Sequence, residues 1–348
     1  MRYKNKRDRK PQQAGFSLIE LMVGMVVAMV AMIIVAQIFK MSEGSRRTTT
    51  GGDDAQTVGA IAMTELQREL RQAGQGLMSA NLLGCDLTVG TWTISGLAPL
   101  TINPTGIPAG DTNTDTLLIA YGSSFGSPEG DRVNAQTSSN TYAMTVSSSF
   151  HLNDWVIATP ASRATPCALQ LDQVTSAPVA PNVTVKTGMA GLANGVVFNL
   201  GPTPRVVAYA VRNGHLTSCD YLAVDCSKTK TDDGQWVEVA DGIASLRVVY
   251  GRDTSSPPDG QLDGYDQITP TKTTAWSCVL AARLVVVARS GQLEKTAVTA
   301  TAPEWAASSA AAITLSGNSD WQLYRYKTFE TIVPLRNVAW QGTPSTCS

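Results

Sequence analysis

The sequence is poor in the residues that build catalytic and zinc sites. Only two histidines, His151 and His215, occur in 348 residues, and both stand in polar, turn-like surroundings that favour surface residues over catalytic bases. The six cysteines include no C-x-x-C pair, so a structural zinc site is not expected. Residues 122–126 match G-x-S-x-G, but the residues after Ser124 do not form the helix that a nucleophile elbow requires. We therefore expect a protein without enzymatic activity.

Positive charge is also scarce beyond the first fifteen residues. Those fifteen carry six Lys or Arg and one Asp, and the whole chain has 27 basic and 28 acidic residues, so 21 basic and 27 acidic residues remain, a net charge of −6. A body of this sign lacks the basic surface expected of a nucleic-acid-binding protein. With 16% charged and 43% hydrophobic residues, the chain nevertheless has the composition of a folded protein.

The chain does contain a long apolar run. From residue 16 to residue 39 only Ser17, Glu20 and Gln37 are polar. A helix of this length, rising ~1.5 Å per residue, crosses a bilayer core of ~30 Å. Lys and Arg precede the run, so the positive-inside rule places the N-terminus in the cytoplasm and everything after Lys40 on the other side. A signal anchor or a cleaved secretory signal would explain the same run, but residues 37–47 offer no good small-x-small cleavage site.

The start of this run carries a specific motif. The stretch AGFSLIELMVGMVVAMV joins a basic leader to Gly15, Phe16, a Glu at the fifth position after the Gly, and an apolar helix. It resembles the signature of type IV prepilins and pseudopilins. The resemblance implies that a prepilin peptidase cuts between Gly15 and Phe16 on the cytoplasmic side of the membrane, and that the new N-terminal Phe16 is then methylated.

Glu20 is a carboxylate within the apolar segment. Such a charge costs ~2.5 to 3.5 kcal/mol on insertion scales and by default marks a functional residue with a partner. The resemblance implies that this partner is the free N-terminal amine of a neighbouring subunit, which exists only after the leader has been removed. The alternative is a glutamate that is tolerated near the membrane interface and has no role in assembly.

Beyond the membrane the pattern predicts that the helix continues. Gly44, Gly51 and Gly52 are poor helix formers and are expected to loosen it locally. Residues 55–74 then form an amphipathic stripe that ends at Gly74 and needs a sheet to pack against. Its apolar side chains are Val58, Ala62, Leu66, Leu70 and Ala73.

The rest of the chain is predicted to form β-strands. Eight short segments rich in Val, Ile and aromatic residues are separated by Gly, Pro, Asn, Asp and Ser turns. They are residues 115–121, 154–159, 167–174, 195–200, 205–212, 242–250, 278–289 and 324–336. The Ser- and Thr-rich residues 122–149 are expected to form a surface loop, and little helix is expected outside the N-terminus.

Several segments are similar, in the same order, to PilW-type minor pilins of the type IV pilus. They include LQRELRQAG, DWVIATPASRATPCALQLDQV, ADGIASLRVVYGRD, RLVVVARS and YKTFETIVPLRN. The resemblance implies an α+β, pilin-like fold, in which a long N-terminal membrane-spanning helix packs on an antiparallel β-sheet and the β-rich ectodomain is enlarged. The expected parts are a cleaved leader (1–15), a transmembrane and filament-core helix (16–40), the second half of that helix (41–74) and a periplasmic or extracellular ectodomain (75–348).

All six cysteines lie beyond the apolar run. They are Cys85, Cys167, Cys219, Cys226, Cys278 and Cys347. In an oxidising periplasm an even number favours disulfides, and six cysteines allow fifteen connectivities. Cys219 and Cys226 enclose a short polar turn and are the favoured pair, while the other pairings stay open.

The Asp-rich stretch GRDTSSPPDGQLDGYDQI is the candidate metal site. It places four carboxylates in a Gly- and Pro-rich loop between two strong strands, and such oxygen ligands suit calcium. They belong to Asp253, Asp259, Asp263 and Asp266. Family members often carry a D-x-N-x-D-G-like run here, and Ser and Pro replace its middle in this sequence. Calcium is thus the candidate cofactor, and a solvated acidic turn is the alternative.

The resemblance implies a minor pilin that is anchored in the bacterial inner membrane as a single-pass precursor and later built into the extracellular pilus near its tip, where it primes growth. The expected partners are the prepilin peptidase, other minor pilins and the major pilin, the inner-membrane assembly platform, and membrane lipid before assembly. Two alternatives stay open: a J-type pseudopilin of a type II secretion system, and a cation-dependent adhesive or ligand-binding module at the pilus tip.

Overall fold

The computed structural model describes residues 15–122, 126–228, 235–339 and Cys347. The chain divides after Thr50 into two compact units, and each is described by itself. One helix, α1 (Leu18–Gln72), is continuous for 55 residues through this division.

The first unit is the apolar part of α1. Every residue from 15 to 44 is exposed. Among the described residues, α1 is the one helix long and apolar enough to cross a membrane, with a mean hydropathy of 2.7 in its most apolar window. An exposed apolar surface of this length matches the hydrocarbon thickness of a bilayer. The predicted long apolar N-terminal helix is therefore confirmed.

The expected loosening at Gly44, Gly51 and Gly52 is wrong, because α1 passes through all three. A helical glycine costs roughly 1 kcal/mol relative to alanine, but packing routinely outweighs this preference. Gly51 is buried, and a Cβ there would lie 3.2 Å from the Cβ of Ser290. From Gly51 onward the helix therefore packs against other residues of the second unit, to which it belongs.

The second unit is built mainly of strands. In chain order they are β1 (Asp86–Val89), β2 (Trp92–Ile94), β3 (Leu100–Ile102), β4 (Leu117–Tyr121), β5 (Asp131–Ser138), β6 (Thr141–Met144), β7 (Trp155–Thr159), β8 (Ala168–Gln173), β9 (Asn182–Thr184), β10 (Val196–Gly201), β11 (Arg205–Arg212), β12 (His215–Asp220), β13 (Val237–Ala240), β14 (Ile243–Arg252), β15 (Gly264–Asp266), β16 (Val279–Arg289) and β17 (Tyr326–Pro334). Two four-residue helices, α2 (Thr273–Trp276) and α3 (Arg336–Ala339), and a 3-10 turn at Trp321–Leu323 complete the described elements.

The strands form three sheets. Their orders are β2-β1-β8-β7-β10-β5-β6-β9, β13-β12-β11-β4-β3 and β15-β14-β16-β17. All pairings are antiparallel except that of β1 with β8, which is parallel. The α+β class with a β-rich ectodomain of antiparallel sheets is confirmed. The single sheet that the resemblance implied is replaced by three.

The main core lies between the second half of α1 and two of the sheets. The predicted apolar stripe is confirmed, since Ala62, Leu66, Leu70 and Ala73 are fully buried and Val58 packs against the same core. The facing side chains come from the five-stranded and four-stranded sheets, and they include Leu117, Tyr209, Val248 and Leu284. Full burial of one leucine contributes ~1.5 to 3 kcal/mol. The stripe is therefore a large part of what fixes the helix on the sheets.

All eight predicted strands are present, and their ends agree with the predicted ones to within a few residues. The expectation that residues 122–149 form a surface loop is wrong, because β5 and β6 pair there as a hairpin. Val133, Tyr142 and Met144 are buried inside this hairpin while their polar neighbours face outward. A few buried apolar positions among many Ser and Thr residues are enough to make a half-buried strand.

Candidate functional site

The predicted cleavage site lies at the exposed start of the first unit. Phe16 is 89% exposed, and a Cβ built on Gly15 would meet nothing within 4 Å. The described residues therefore leave this peptide bond open to a peptidase. Leader residues 1–14 lie outside the described residues, and cleavage and methylation remain predictions.

Glu20 has a contact that the sequence interpretation missed. The backbone N–H of Ser17 donates a hydrogen bond to Glu20 Oε2 at 3.0 Å. Because α1 begins at Leu18, Ser17 is the N-cap and Glu20 the third helical residue, which is half of an S-x-x-E capping box. The spacing was visible in the sequence and would have predicted this contact. A carboxylate here also complements the positive end of the helix dipole.

The capping contact places Glu20 beside its own chain's cleavage site. Once the leader is removed, the new amine belongs to Phe16, the residue immediately before Ser17. Both this amine and that of a neighbouring subunit are then candidate counter-charges for Glu20. Pairing with the neighbour remains a prediction.

A second carboxylate of α1, Glu69, is buried where the helix meets the five-stranded sheet. Its side chain is 2% exposed, and its Oε2 accepts a hydrogen bond at 3.0 Å from the hydroxyl of Tyr121 on β4. Arg68 Nη2 lies 3.2 Å from Glu69 Oε1. Burial and the nearby Glu69 charge raise the pKa of Tyr121 well above its ordinary value. Because Glu69 is buried together with its hydrogen-bond partners, these contacts fix the rotation of α1 about its own axis on the sheet.

The closing segment YKTFETIVPLRN fixes α1 at two places. A Cβ on Gly59 would lie 2.0 Å from Cε2 of Phe329, so the phenyl ring rests directly on the helix backbone. Asn337 Nδ2 lies 3.2 Å from the carbonyl oxygens of both Gln72 and Ala73, to which it donates. These carbonyls are at the C-terminal end of the helix, where they have no intrahelical partner. The segment therefore caps α1 as well as forming β17.

The two sheets beneath α1 are joined through one buried carboxylate. Asp115, 1% exposed, accepts hydrogen bonds from Arg247 Nη1 at 2.8 Å, the Val248 N–H at 2.9 Å and Gln267 Nε2 at 2.7 Å. Asn103 Nδ2 donates to it at 3.0 Å. A buried ion pair with this many additional donors is held in a single geometry. The sequence interpretation placed no role on Asp115.

The six cysteines form three disulfides. These are Cys85–Cys167, Cys219–Cys226 and Cys278–Cys347. The second is the pair favoured from the sequence, and no free cysteine remains in the described part of the chain. The disulfides therefore link positions along the whole β-rich segment that follows α1, from Cys85 to Cys347.

The four candidate calcium ligands do not converge. Asp253 accepts hydrogen bonds from the N–H groups of Ser255 and Gly260, at 3.0 and 2.6 Å. Asp259 accepts a hydrogen bond from the Gln261 N–H, and Asp263 accepts one from the Thr254 N–H. Asp266 forms an ion pair with Arg252. Hydrogen bonds, above all that from the Ser255 hydroxyl, hold the pKa of Asp253 below its usual range.

Among the described residues, no group of three or more His, Cys, Asp or Glu side chains is placed to hold a metal ion. A calcium ion would have to replace the donors that these four carboxylates already use. Calcium binding stays a prediction.

Neither histidine lies in a catalytic arrangement. His151 Nδ1 is 3.5 Å from Asp154, with the histidine side chain 68% exposed. At the start of β12, His215 Nδ1 is 3.2 Å from Glu238 and 3.3 Å from Asp241. Both are surface pairings of the kind that contribute little stability. Ser124 lies outside the described residues.

Two protein-family models match the chain. The model described as Type IV Pilus-assembly protein W matches residues 208–337, and the model described as the prokaryotic N-terminal methylation motif matches residues 10–36. No curated protein and no solved structure matches. The predicted resemblance to PilW-type minor pilins is confirmed. The methylation motif implies processing by a prepilin peptidase and assembly with other pilins, and the matched PilW family has a structural role.

Proposed function

We propose that this chain, which carries the methylation motif and the PilW domain of a type IV pilus minor pilin, primes pilus assembly and is incorporated near the pilus tip. The observation that carries the proposal is that the two parts of α1 have different surroundings. Its first part is exposed and apolar, and its last part packs into the core of the β-rich unit. One helix is thus suited to lie first in lipid and then among the apolar helices of a filament.

The precursor sits in the inner membrane with its basic leader in the cytoplasm, as the positive-inside rule requires. The peptidase removes residues 1–15, and Phe16 is methylated. The inner-membrane assembly platform then receives the mature chain with other minor pilins and the major pilin. Residues 16–40 enter the filament core, and the ectodomain, residues 75–348, docks with its neighbours.

Glu20 has a particular role in this assembly. An ionised carboxylate in an apolar filament core needs a counter-charge, and the amine of an adjacent subunit supplies one. The outermost subunit of a filament has no neighbour above it and can dispense with the residue. Because this chain retains Glu20, it lies just beneath another minor pilin and is not the terminal subunit.

The matched variants Glu20→Gln and Glu20→Ala test this role. Gln keeps an oxygen that can accept the Ser17 N–H bond but carries no charge, whereas Ala removes both. We expect both variants to be cleaved and folded normally, and both to reduce co-purification of the other minor pilins and the yield of sheared pili. Restoration of both yields by Gln alone would show that capping matters and the charge does not. Unchanged yields for both variants would remove Glu20 from assembly.

Processing has its own test. Gly15→Leu should accumulate as the longer, basic-tailed precursor because the peptidase must approach this position closely. Gly24→Leu is the matched control, since a Cβ at Gly24 also meets nothing within 4 Å but lies away from the cut. Mass spectrometry should find methylated Phe16 at the N-terminus of wild type and control. Any other native N-terminus contradicts the proposed cleavage.

The match to the family of Type IV Pilus-assembly protein W favours the pilus over type II secretion. Deletion of the gene should therefore remove surface pili and leave protein export unchanged. Loss of export with normal pili would instead identify the chain as a J-type pseudopilin.

A further inference from the structure

A polar cleft of about 470 Å³ opens in the second unit. It lies where the β11–β12 turn, the start of β14, the end of β16 and the segment before β17 meet. The cleft is lined by the polar or charged side chains of Asp111, Asn213, Arg289, Thr314, Asn318 and Tyr326. Neither the pilin motif nor the Asp-rich loop contributes to it.

Arg289 supplies a positive charge to this cleft. Three other arginines of the same sheet and its connections, Arg252, Arg283 and Arg325, each pair with a carboxylate at 2.6 to 3.0 Å. Within the described part of the chain, Arg289 has no such ion pair. Its guanidinium carbon instead lies 4.7 Å from the centre of the Tyr324 ring. Stacking on an aromatic face orients the planar fork while leaving its N–H donors available.

The turn beside Arg289 is shaped around the guanidinium. Gly214 has a φ of +80°, and a Cβ there would lie 3.0 Å from Arg289 Nη2. Asp111 fixes the same turn, because its two carboxylate oxygens accept the N–H groups of Asn213 and Gly214, each at 2.8 Å. The acid of the cleft is therefore engaged with the backbone.

Neutral polar side chains and a few apolar ones complete the rim. The side-chain oxygen of Asn318 accepts the Asp320 N–H at 2.9 Å, which fixes the amide and leaves its NH₂ group to face the cleft or solvent. Thr314 and Asn213 add a hydroxyl and an amide. A guanidinium fork beside neutral hydroxyl and amide groups suits a ligand that combines a carboxylate with hydroxyls.

We propose that this cleft binds an acidic monosaccharide unit, with the sugar carboxylate on the Arg289 guanidinium and the sugar hydroxyls on the side chains of Thr314 and Asn318. The volume of the cleft is within the usual range for small-molecule sites. An exposed saccharide site would give the pilus subunit a surface-binding activity in addition to assembly. The site needs no cation, unlike the cation-dependent adhesive module that is one of the alternatives left open by the sequence.

The test is calorimetric titration of the full-length chain in detergent with D-glucuronate at low ionic strength. Binding with a Kd of about 1 mM or tighter is expected, with weakening as salt screens the charge. D-glucose, which matches the probe but lacks the carboxylate, should bind at least about tenfold more weakly, and so should inorganic phosphate. Equal binding of phosphate would make the cleft a general anion site and overturn the saccharide assignment.

Two variants locate the binding. Arg289→Gln should weaken glucuronate binding by about tenfold or more, and Thr314→Val should weaken it less while preserving shape. Arg132→Gln is the matched control, because Arg132 lies on β5 and does not line the cleft. Absence of glucuronate binding to the wild type, or equal binding by Arg289→Gln and Arg132→Gln, refutes the proposal. Pilus assembly is measured separately in cells, so failure here leaves the proposed function intact.

Discussion

Replacement of Gly59 by alanine should destabilise the protein, although alanine is the better helix former. Alanine in a helix interior gains about 1 kcal/mol over glycine. Here the added methyl group would lie 2.0 Å from Phe329 Cε2, so the ring must leave its place on the helix. Overpacking of this kind costs about 1 to 3 kcal/mol, and so close an approach belongs at the upper end. The net loss of unfolding free energy is therefore about 2 kcal/mol.

The assay is a double-mutant cycle, in which denaturant unfolding measures the unfolding free energy of each full-length variant. In a Phe329→Ala background the ring is gone, and Gly59→Ala should then stabilise by about 1 kcal/mol. Gly52→Ala is the control, since a Cβ there meets nothing within 4 Å and should stabilise in both backgrounds. If Gly59→Ala has the same sign with and without the ring, the contact is not what requires glycine.

Three further predictions concern buried charge, pH and calcium. Asp115→Ala should cost about 3 to 5 kcal/mol of unfolding free energy because it strands the Arg247 charge, and a loss below about 1 kcal/mol would contradict the buried pair. Burial, with the nearby Glu69 charge, raises the pKa of Tyr121 and Tyr209 well above the ordinary value of 10.0, so stability should be complete below that pH and fall above it as the unfolded tyrosines ionise. Chemical unfolding from neutral to alkaline pH measures the fall, which Tyr209→Phe should reduce; a flat profile would oppose it. Calcium, if it binds the folded loop, should raise Tm in proportion to log concentration, and Asp259→Ala with Asp263→Ala should abolish the rise. A wild-type Tm that does not change with calcium would support the alternative, a solvated acidic turn.

Much of the architecture is predictable from local pattern. The strand predicted at residues 205–212 matches β11 (Arg205–Arg212) at both ends, because its apolar run is long and bounded by turn residues. The stripe from Val58 to Ala73 also identifies the buried face of α1. By contrast, β1 and β15 have four and three residues, too few for any period to be read. β1 also pairs with β8, a strand far along the chain.

The contacts that join the elements are the part that sequence reasoning could not reach. Asp115 and Arg247 are 132 positions apart, and Asn337 caps a helix that ends 265 positions earlier. Nothing local distinguishes these residues from ordinary polar surface residues. The capping contact of Glu20 is different, since its Ser17 partner is three positions away and the S-x-x-E spacing was available. The assembly role of Glu20 still comes from the resemblance alone.

The order of the three disulfides has a consequence for how the chain matures. The linked cysteines are 82, 7 and 69 positions apart, and each cysteine is bonded to its immediate neighbour among the six. The covalent loops therefore follow one another, and none encloses or crosses another. If the part of the chain beyond the membrane helix is delivered in sequence order, Cys167 appears while Cys85 is the one thiol already present, and Cys226 likewise meets Cys219 once the first pair has closed. Oxidation that keeps pace with such delivery would join each cysteine to its native partner in turn.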